Sequence, residues 1–155
     1  ADITRFIKGD RYRSRLISKI MFGAYNKRIK NVRTSNDWLT RDETVVDEYN
    51  AGKLTTFLFT VNGYRGLMNM ILYVRKPRNI AKIPKNLPML MVSGLDDPVG
   101  EYGKGVYRAY NTYHGHIDDI DLRLFEDCRH ELCNELNKEE IYEEIYGWIM
   151  NHMSK

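Results

Sequence analysis

Long apolar runs and cysteines are both scarce in this chain of 155 residues. No uninterrupted apolar stretch approaches the roughly 20 residues that a membrane-spanning helix needs, which excludes stable membrane insertion. The two cysteines, Cys128 and Cys133, are too few and too close in sequence for a disulfide framework. We therefore interpret them as free thiols and expect a cytoplasmic protein. Because the chain also lacks an initial methionine and the apolar centre of a signal peptide, we expect an internal stretch of a longer protein.

An even distribution of charge is also missing. The net charge is +3, but residues 1–41 hold eleven Lys/Arg against three Asp, or +8, whereas residues 42–155 hold thirteen against eighteen acidic residues, or −5. A basic front could contact nucleic acid or an anionic membrane surface. However, the basic residues of "RYRSRLISKI" (11–20) share their segment with apolar residues at helical spacing, and the aromatic pattern of an RNA-binding sheet is absent. We therefore predict an amphipathic helix and no nucleic-acid partner.

The first half of the chain has the apolar spacing of helices. It predicts a helix over 12–25, and a second helix that begins with a capping box formed by Thr40 and Glu43. Apolar residues that step by three or four across 57–71 predict a third helix with a core-facing side. Because prolines then recur, we predict a linker at 76–87.

After residue 88 the pattern changes to alternating strands and helices. "PMLMVSG" (88–94) is typical of a buried parallel strand, and "DIDLRLFE" (119–126) alternates like a strand. A helix is predicted at 101–114, and another after Asn137, which has N-cap spacing to Glu140. This order indicates an α/β fold with a parallel pair joined by a crossover. Two parallel strands are too few for a stable sheet, so we expect other strands to complete it.

Polar side chains follow both predicted strands. "SGLDDPVG" (93–100) contains Asp96 and Asp97, and "DCRHELCNE" (127–135) contains His130. Catalytic groups in open α/β sheets gather beyond the carboxyl ends of the strands, where a carboxylate can fix the tautomer of an imidazole that acts as a base. By residue type, a turn-forming aspartate and a structural histidine are each more common. Their coincidence in corresponding loops favours a catalytic pair.

These two loops carry a family resemblance. Together with "FGAYNK" (22–27) and "DWLTRDETVVDEY" (37–49), they resemble the helical cap and the C-terminal part of α/β-hydrolases of the lysophospholipase, monoacylglycerol lipase and serine aminopeptidase-like group. The resemblance implies a helical cap or lid at 1–80 and the last two β-α units of the hydrolase core at 81–155. That sheet would be incomplete without the N-terminal half of the hydrolase.

Position by position, the resemblance also implies roles for individual residues. Asp97 matches the acid of a catalytic triad, His130 matches its base, and Asp96 occupies the variable position before the acid. Supporting roles, in bracing the loop and the next helix, are implied for Arg129, Glu131, Asn134 and Glu135. No cofactor is implied.

The nucleophile of the family is missing from this sequence. It belongs in a Gly-x-Ser-x-Gly turn that precedes the acid and the histidine, and the five serines of the chain, at 14, 18, 35, 93 and 154, lack that setting. We therefore expect a fragment of a serine hydrolase that acts on carboxylic esters, of lysophospholipid or monoacylglycerol type. The fragment should be inactive by itself, and its partner should be the missing N-terminal half.

Two alternatives stay open at this point. Cys128, His130 and Cys133, or the group His114, His116, Asp118 and Asp119, could bind zinc, but neither set has the ligand number and spacing of a structural site, and we expect no metal there. The chain could also be a noncatalytic helical interaction module that retains the aspartate and the histidine. For the hydrolase fragment, apolar surface left by the missing half predicts self-association as a homo-oligomer.

Overall fold

The computed structural model describes residues 2–153, and its elements alternate as an α/β chain should after residue 88. In chain order they are helix α1 (Asp2–Lys8), helix α2 (Arg15–Phe22), a 3₁₀ turn (Tyr25–Arg28), helices α3 (Glu43–Ala51), α4 (Val61–Val74) and α5 (Pro77–Ile80), strand β1 (Met89–Gly94), helix α6 (Lys104–His114), strand β2 (Ile120–Phe125), a second 3₁₀ turn (Leu132–Asn134) and helix α7 (Lys138–Met153). Within the described residues, no helix is both long enough and apolar enough to cross a bilayer.

The predicted helix over 12–25 is too long at both ends. Helix α2 begins after Ser14, whose hydroxyl accepts a hydrogen bond from the backbone N–H of Ile17 (3.2 Å). The residues before this N-cap pair with the entrance to α4 instead, where the N–H of Val61 donates to the carbonyl of Tyr12 (2.8 Å). Helix α2 ends at Phe22, before Gly23. Side-chain capping and a tertiary contact therefore override the apolar periodicity.

Two other helix starts also differ from the prediction. The capping box at Thr40 is wrong, because Asp42 caps α3 and its Oδ1 accepts from the N–H of Thr44 (2.9 Å). Helix α4 begins at Thr60, whose hydroxyl accepts from Gly63, so the first apolar residue of the predicted set, Phe57, lies before the helix. The predicted linker at 76–87 contains the short helix α5.

The parallel strand pair is confirmed. Strands β1 and β2 align from Met89 opposite Ile120 to Gly94 opposite Phe125, with α6 between them in the chain. In the part of the chain that the structure describes, this sheet has two strands. The α/β fold class is thus correct, and the carboxyl ends of both strands lie at one edge of the sheet.

A small apolar core lies beneath the loop that follows β2. It consists of Cys128, Leu132 and Ile141, with Phe125 and Ile145 packed against them. These contacts seat helix α7 under the loop. Helix α4 is less buried than its spacing predicts: Val61 and Tyr64 are buried, but Met68 and Ile71 are 39% and 38% exposed. The chain therefore presents an apolar helix face to its surroundings.

Candidate active site

The two loops that carry Asp97 and His130 meet directly beyond the strands. After the last strand pair, the N–H of Leu95 donates to the carbonyl of Phe125 (2.9 Å), and the N–H of Asp96 donates to the carbonyl of Cys128 (2.9 Å). We call residues 126–137 the histidine loop. These backbone hydrogen bonds place its first half beside the loop that follows β1.

Gly94 makes this close approach possible. A Cβ atom at this position would lie 2.0 Å from the carbonyl oxygen of Cys128 and 2.3 Å from that of Arg129. Both obstructing atoms belong to the backbone, which cannot turn aside like the end of a side chain. Only glycine therefore allows the histidine loop to lie against the end of β1.

The carboxylate of Asp97 and the imidazole of His130 are in contact. Oδ2 of Asp97 lies 3.0 Å from Nδ1 of His130, and its Oδ1 accepts a hydrogen bond from the N–H of Val99 (2.8 Å). The carboxylate is buried, whereas the imidazole is 38% exposed. Because the carboxylate accepts the Nδ1 proton, the lone pair of Nε2 is available to act as a base.

The same contact changes the acidity of the imidazole. The hydrogen bond from His130 to Asp97 raises the pKa of His130 above its ordinary value, and the negative charges of Asp97 and Glu131 act in the same direction. Burial of the ring opposes the increase by disfavouring the charged form. Asp97 therefore stabilises the imidazolium, which is the form that His130 takes after it accepts a proton as a base.

Asp97, and not its neighbour Asp96, reaches the imidazole. Asp96 is exposed and lines a shallow depression together with Arg28, Tyr102 and Arg129. The guanidinium of Arg28 lies 3.7 Å from the ring centroid of Tyr102, on its face. The two aspartates thus have different surroundings, with one carboxylate facing His130 and the other among cationic side chains.

An aromatic pair lies against His130 of the dyad formed by Asp97 and His130, and neither of its residues is among the predicted site residues. The ring of Trp38 lies 5.1 Å from the imidazole of His130, tilted by 46°, and Tyr25 packs edge-on against Trp38 with centroids 4.9 Å apart. Burial raises the pKa of Tyr25, and the nearby charge of Asp97 adds to this increase. Both residues lie in segments that resemble the cap, but that resemblance does not predict their contact with His130, from which 92 positions separate Trp38.

Glu135 braces the histidine loop from inside. Its side chain is fully buried, and its carboxylate accepts hydrogen bonds from the N–H of Arg129 (2.7 Å) and from Nε of Arg41 (2.8 Å). Arg41 also donates to Oδ1 of Asn137 (2.5 Å). One buried carboxylate therefore holds the residue next to His130 and connects it to the front of the chain.

The segment 37–41 forms the other side of this attachment. Nη1 of Arg129 donates to the carbonyls of Asp37 (2.7 Å) and Thr40 (3.0 Å), and the hydroxyl of Thr40 donates to the carbonyl of Asn134 (2.7 Å). The N–H of Glu131 donates to the carbonyl of Leu39 (2.7 Å). The position of the histidine loop thus depends on a segment that lies far earlier in the sequence.

The remaining residues of the predicted supporting set lie at the rim. The side chain of Asn134 donates to Glu131 (2.8 Å) at an exposed position. The side chains of Arg129 and Glu135 therefore fix the loop to its surroundings, whereas Glu131 and Asn134 do so through their backbones and bond to each other through their side chains. Arg41 belongs to the same network, although the sequence marks it only as a basic residue next to a helix start.

The two zinc sets considered from sequence do not assemble among the described residues. Cys128 is buried, burial raises the pKa of its thiol, and its Sγ lies 3.4 Å from Oδ1 of Asn137, whereas Cys133 is exposed. His116 bonds through Nε2 to the carbonyl of Ile83 (2.8 Å). Cys128 and His116 therefore bond to groups outside the two sets considered.

A large cavity lies next to the aromatic pair. Its volume is about 830 Å³, and Trp38 belongs to its wall as well as contacting His130. Other apolar and aromatic residues of the wall are Phe22, Tyr49, Leu54, Phe57, Leu58, Phe59 and Tyr64. The polar lining includes Asn26, Asn36 and Asn50. The cavity thus combines aromatic side chains with amide groups, hydroxyl groups and two cations, Arg15 and Lys19.

Solved structures share this fold over nearly the whole chain. A highly thermostable carboxyl esterase from Bacillus coagulans, in complex with glycerol, superimposes with a TM-score of 0.82 at 21% identity, over 99% of this chain and 49% of that one. A lipase in an open form superimposes with a TM-score of 0.79 at 21% identity, over 93% and 47%. The chain therefore spans about half the length of these structures.

The sequence itself matches a family profile. No curated protein matches the chain. The profile described as serine aminopeptidase, S33, matches residues 6–137, which include both Asp97 and His130. Because the match covers most of the chain, it shows the family, and the resemblance seen in the sequence is confirmed. The chain belongs to the serine aminopeptidase (S33) family of α/β-hydrolases.

Proposed function

We propose that this chain supplies the acid and the base of a serine hydrolase that cleaves carboxylic esters. The observation that carries the proposal is the 3.0 Å contact between the buried carboxylate of Asp97 and Nδ1 of the half-exposed His130. The two residues follow neighbouring parallel strands, where α/β proteins place catalytic groups. The fold shared with an esterase and a lipase supports ester hydrolysis.

The nucleophile comes from the part of the hydrolase outside these 155 residues. As the serine oxygen attacks the carbonyl carbon of the ester, Nε2 of His130 takes the serine proton, and Asp97 stabilises the resulting imidazolium. His130 then returns the proton to the leaving alkoxide, which departs as the alcohol. Water repeats the sequence on the acyl-enzyme: His130 takes its proton, and the serine regains one as the carboxylic acid leaves.

The substrates are esters with a long apolar part, of lysophospholipid or monoacylglycerol type. The cavity of about 830 Å³ has the size of a typical small-molecule site, and six aromatic side chains line it together with polar ones. Trp38 belongs to this wall and also contacts the imidazole of His130, so a chain bound there would approach the dyad. In this proposal, residues 1–80 act as the cap that covers the substrate.

The N-terminal half of the hydrolase is the proposed partner. Two strands make too small a sheet, and exposed apolar residues of α4, such as Met70 and Leu72 (58% and 60% exposed), require a cover. Without that half, the chain is inactive and covers its apolar surface by self-association into a homo-oligomer. The two free thiols fit a cytoplasmic protein.

Labelling with a fluorophosphonate and hydrolysis of a monoacylglycerol test the proposal. The chain by itself should neither react with the probe nor hydrolyse the ester. The full hydrolase, with the preceding sequence or with the N-terminal half supplied as a second chain, should do both. His130→Ala should abolish hydrolysis, whereas His114→Ala, at the exposed end of α6, should leave it unchanged.

The opposite results would contradict the proposal. If the full protein carries no serine that reacts with the probe, or if His130→Ala hydrolyses the ester at the original rate, the chain is not part of a serine hydrolase. The noncatalytic interaction module then becomes the better description. In that case, the exposed face of α4 would serve only as a protein–protein interface.

A further inference from the structure

One face of helix α2 brings positive charge into the wall of the large cavity. Arg15, Lys19 and Phe22 follow one another at intervals of four and three residues, so they lie on the same side of the helix, and all three line the cavity. Both cationic residues are exposed at its rim. Among residues 2–153, no carboxylate forms an ion pair with either of them.

The wall of the cavity offers these cations no negative charge. Among the described residues that line it, none is an aspartate or a glutamate. Burial raises the pKa of Tyr49, a wall residue, and the negative charge of Glu131 adds to this increase. Because Glu131 directly follows His130, that charge belongs to the end of the cavity next to the dyad. The two cations of α2 therefore face the cavity without a carboxylate of the wall to neutralise them.

A row of aromatic rings separates the cations from the dyad. From His130 the row runs to Trp38 (5.1 Å between centroids), then to Tyr25 (4.9 Å) and to Phe22 at the end of α2 (5.7 Å). A helix rises about 1.5 Å per residue, so Lys19 and Arg15 lie about 4.5 and 10.5 Å before Phe22 along its axis.

The other end of α2 has different neighbours. Just before the helix, Arg13 forms a β-bridge with Thr60, which caps α4. The last residue of α2 thus connects to the dyad through aromatic rings, whereas its first residues lie beside the start of α4. The cationic rim therefore lies at the end of the cavity remote from His130.

A hydrogen-bond donor without an acceptor also belongs to the wall. Oδ1 of Asn50 accepts a hydrogen bond from Nδ2 of Asn36 (2.6 Å), but Nδ2 of Asn50 is buried and bonds to no group among the described residues. A buried N–H without an acceptor is unfavourable, and an oxygen atom of a bound molecule can satisfy it. The wall thus calls for an acceptor as well as for an anion.

We propose that the cavity selects esters that carry an anionic group, a phosphate or a carboxylate, on the part of the substrate that lies remote from the ester bond. The apolar part of the substrate lies on the aromatic side chains, Lys19 and Arg15 pair with the anionic group, and Asn50 donates to an oxygen atom of the substrate. This inference rests on the proposed ester hydrolysis and names its substrate class, which is anionic amphiphiles and not neutral monoacylglycerols.

Two pairs of esters test this class in the full hydrolase. The 4-nitrophenyl esters of octanoic acid and of octanedioic acid differ by a carboxylate on the acyl side, and a 1-acylglycerol differs from its 3-phosphate by an anion on the alcohol side. Each exposed ion pair contributes up to about fivefold in affinity, so we expect about tenfold higher kcat/KM, mainly through KM, for the anionic member of one pair. The pair that shows the preference identifies the source of the anion.

Variants assign the preference to the cavity. Arg15→Ala combined with Lys19→Ala should abolish it and leave kcat/KM for the neutral esters within about twofold. The matched control combines Arg78→Ala with Lys82→Ala, which removes the same two residue types at the same spacing from exposed positions outside the cavity, and it should retain the preference. Asn50→Asp keeps the acceptor for Asn36 but replaces the free donor with a negative charge, and should also abolish the preference.

Failure of this inference differs from failure of the proposed hydrolysis. Equal kcat/KM within both pairs, or a preference that persists in the variant without both cations of α2, would overturn the anionic substrate class while ester hydrolysis stands. If no ester is hydrolysed, calorimetric binding of octyl phosphate and of 1-octanol to the same folded proteins gives the answer. About tenfold tighter binding of octyl phosphate, lost without the two cations, would support the site, and equal affinities would overturn it.

Discussion

Gly94→Ala is expected to destabilise the protein by at least about 3 kcal/mol, because the new methyl group has no space. Overpacking of a dense region costs about 1–3 kcal/mol or more. Here the added carbon would lie 2.0 Å from the carbonyl oxygen of Cys128, so either the strand or the histidine loop must move. Such a movement also pulls His130 away from Asp97.

Urea denaturation measures this effect, with Gly66→Ala as the matched control. Gly66 lies inside α4. Apart from its chain neighbours and the nearby backbone of α4, no atom lies within 4 Å of the carbon that alanine would add. The control should be more stable than the original chain by up to about 1 kcal/mol, since alanine favours the helix. Equal denaturation midpoints for the Gly94 variant and the original chain would show that the loop does not lie against β1.

Glu135→Ala is expected to destabilise the protein by about 3 kcal/mol. Removal of one partner from a buried ion pair costs about 3–5 kcal/mol, and the lower end applies because Arg41 retains 27% exposure. The N–H of Arg129 also loses the acceptor that holds it beside His130. The contact between Asp97 and His130 should weaken as a result.

The appropriate control removes an acidic side chain from an exposed ion pair. Asp47 on α3 bonds to Arg33 with both side chains well exposed, so Asp47→Ala should cost less than about 1 kcal/mol. Glu135→Gln retains an oxygen acceptor, so its loss of stability should lie between those of Glu135→Ala and Asp47→Ala. If Glu135→Ala and Asp47→Ala denature at the same urea concentration, Glu135 does not brace the loop.

Those parts of the fold that depend on short-range patterns could be predicted from the sequence. The two strands are short apolar runs bounded by turn residues, and both form where the pattern predicts them, although their apolar residues are mostly only partly buried. The loops after them then follow from topology, because parallel strands end at one edge of the sheet. The proximity of Asp97 and His130 could thus be predicted from the sequence.

The surroundings of the dyad could not be predicted in this way. Trp38 and Arg41 contact the histidine loop only after the chain folds, and the segment that contains them predicts a cap and a helix start but no contact with that loop. Thr40 shows the same limit: its spacing fits a capping box, but its hydroxyl bonds to the carbonyl of Asn134. Long-range hydrogen bonds replaced the local ones that the pattern predicts.

Titration of His130 by NMR tests most directly whether the carboxylate of Asp97 acts on the imidazole of His130. We expect a pKa above the ordinary value of about 6.5, because the carboxylate of Asp97 favours the protonated ring. Asp97→Asn should lower the pKa of His130, since burial of the ring then acts without the opposing charge, whereas Asp96→Asn should leave it nearly unchanged. If His130 titrates at or below the ordinary value, or does not respond to Asp97→Asn, Asp97 and His130 do not form the acid and base of a triad.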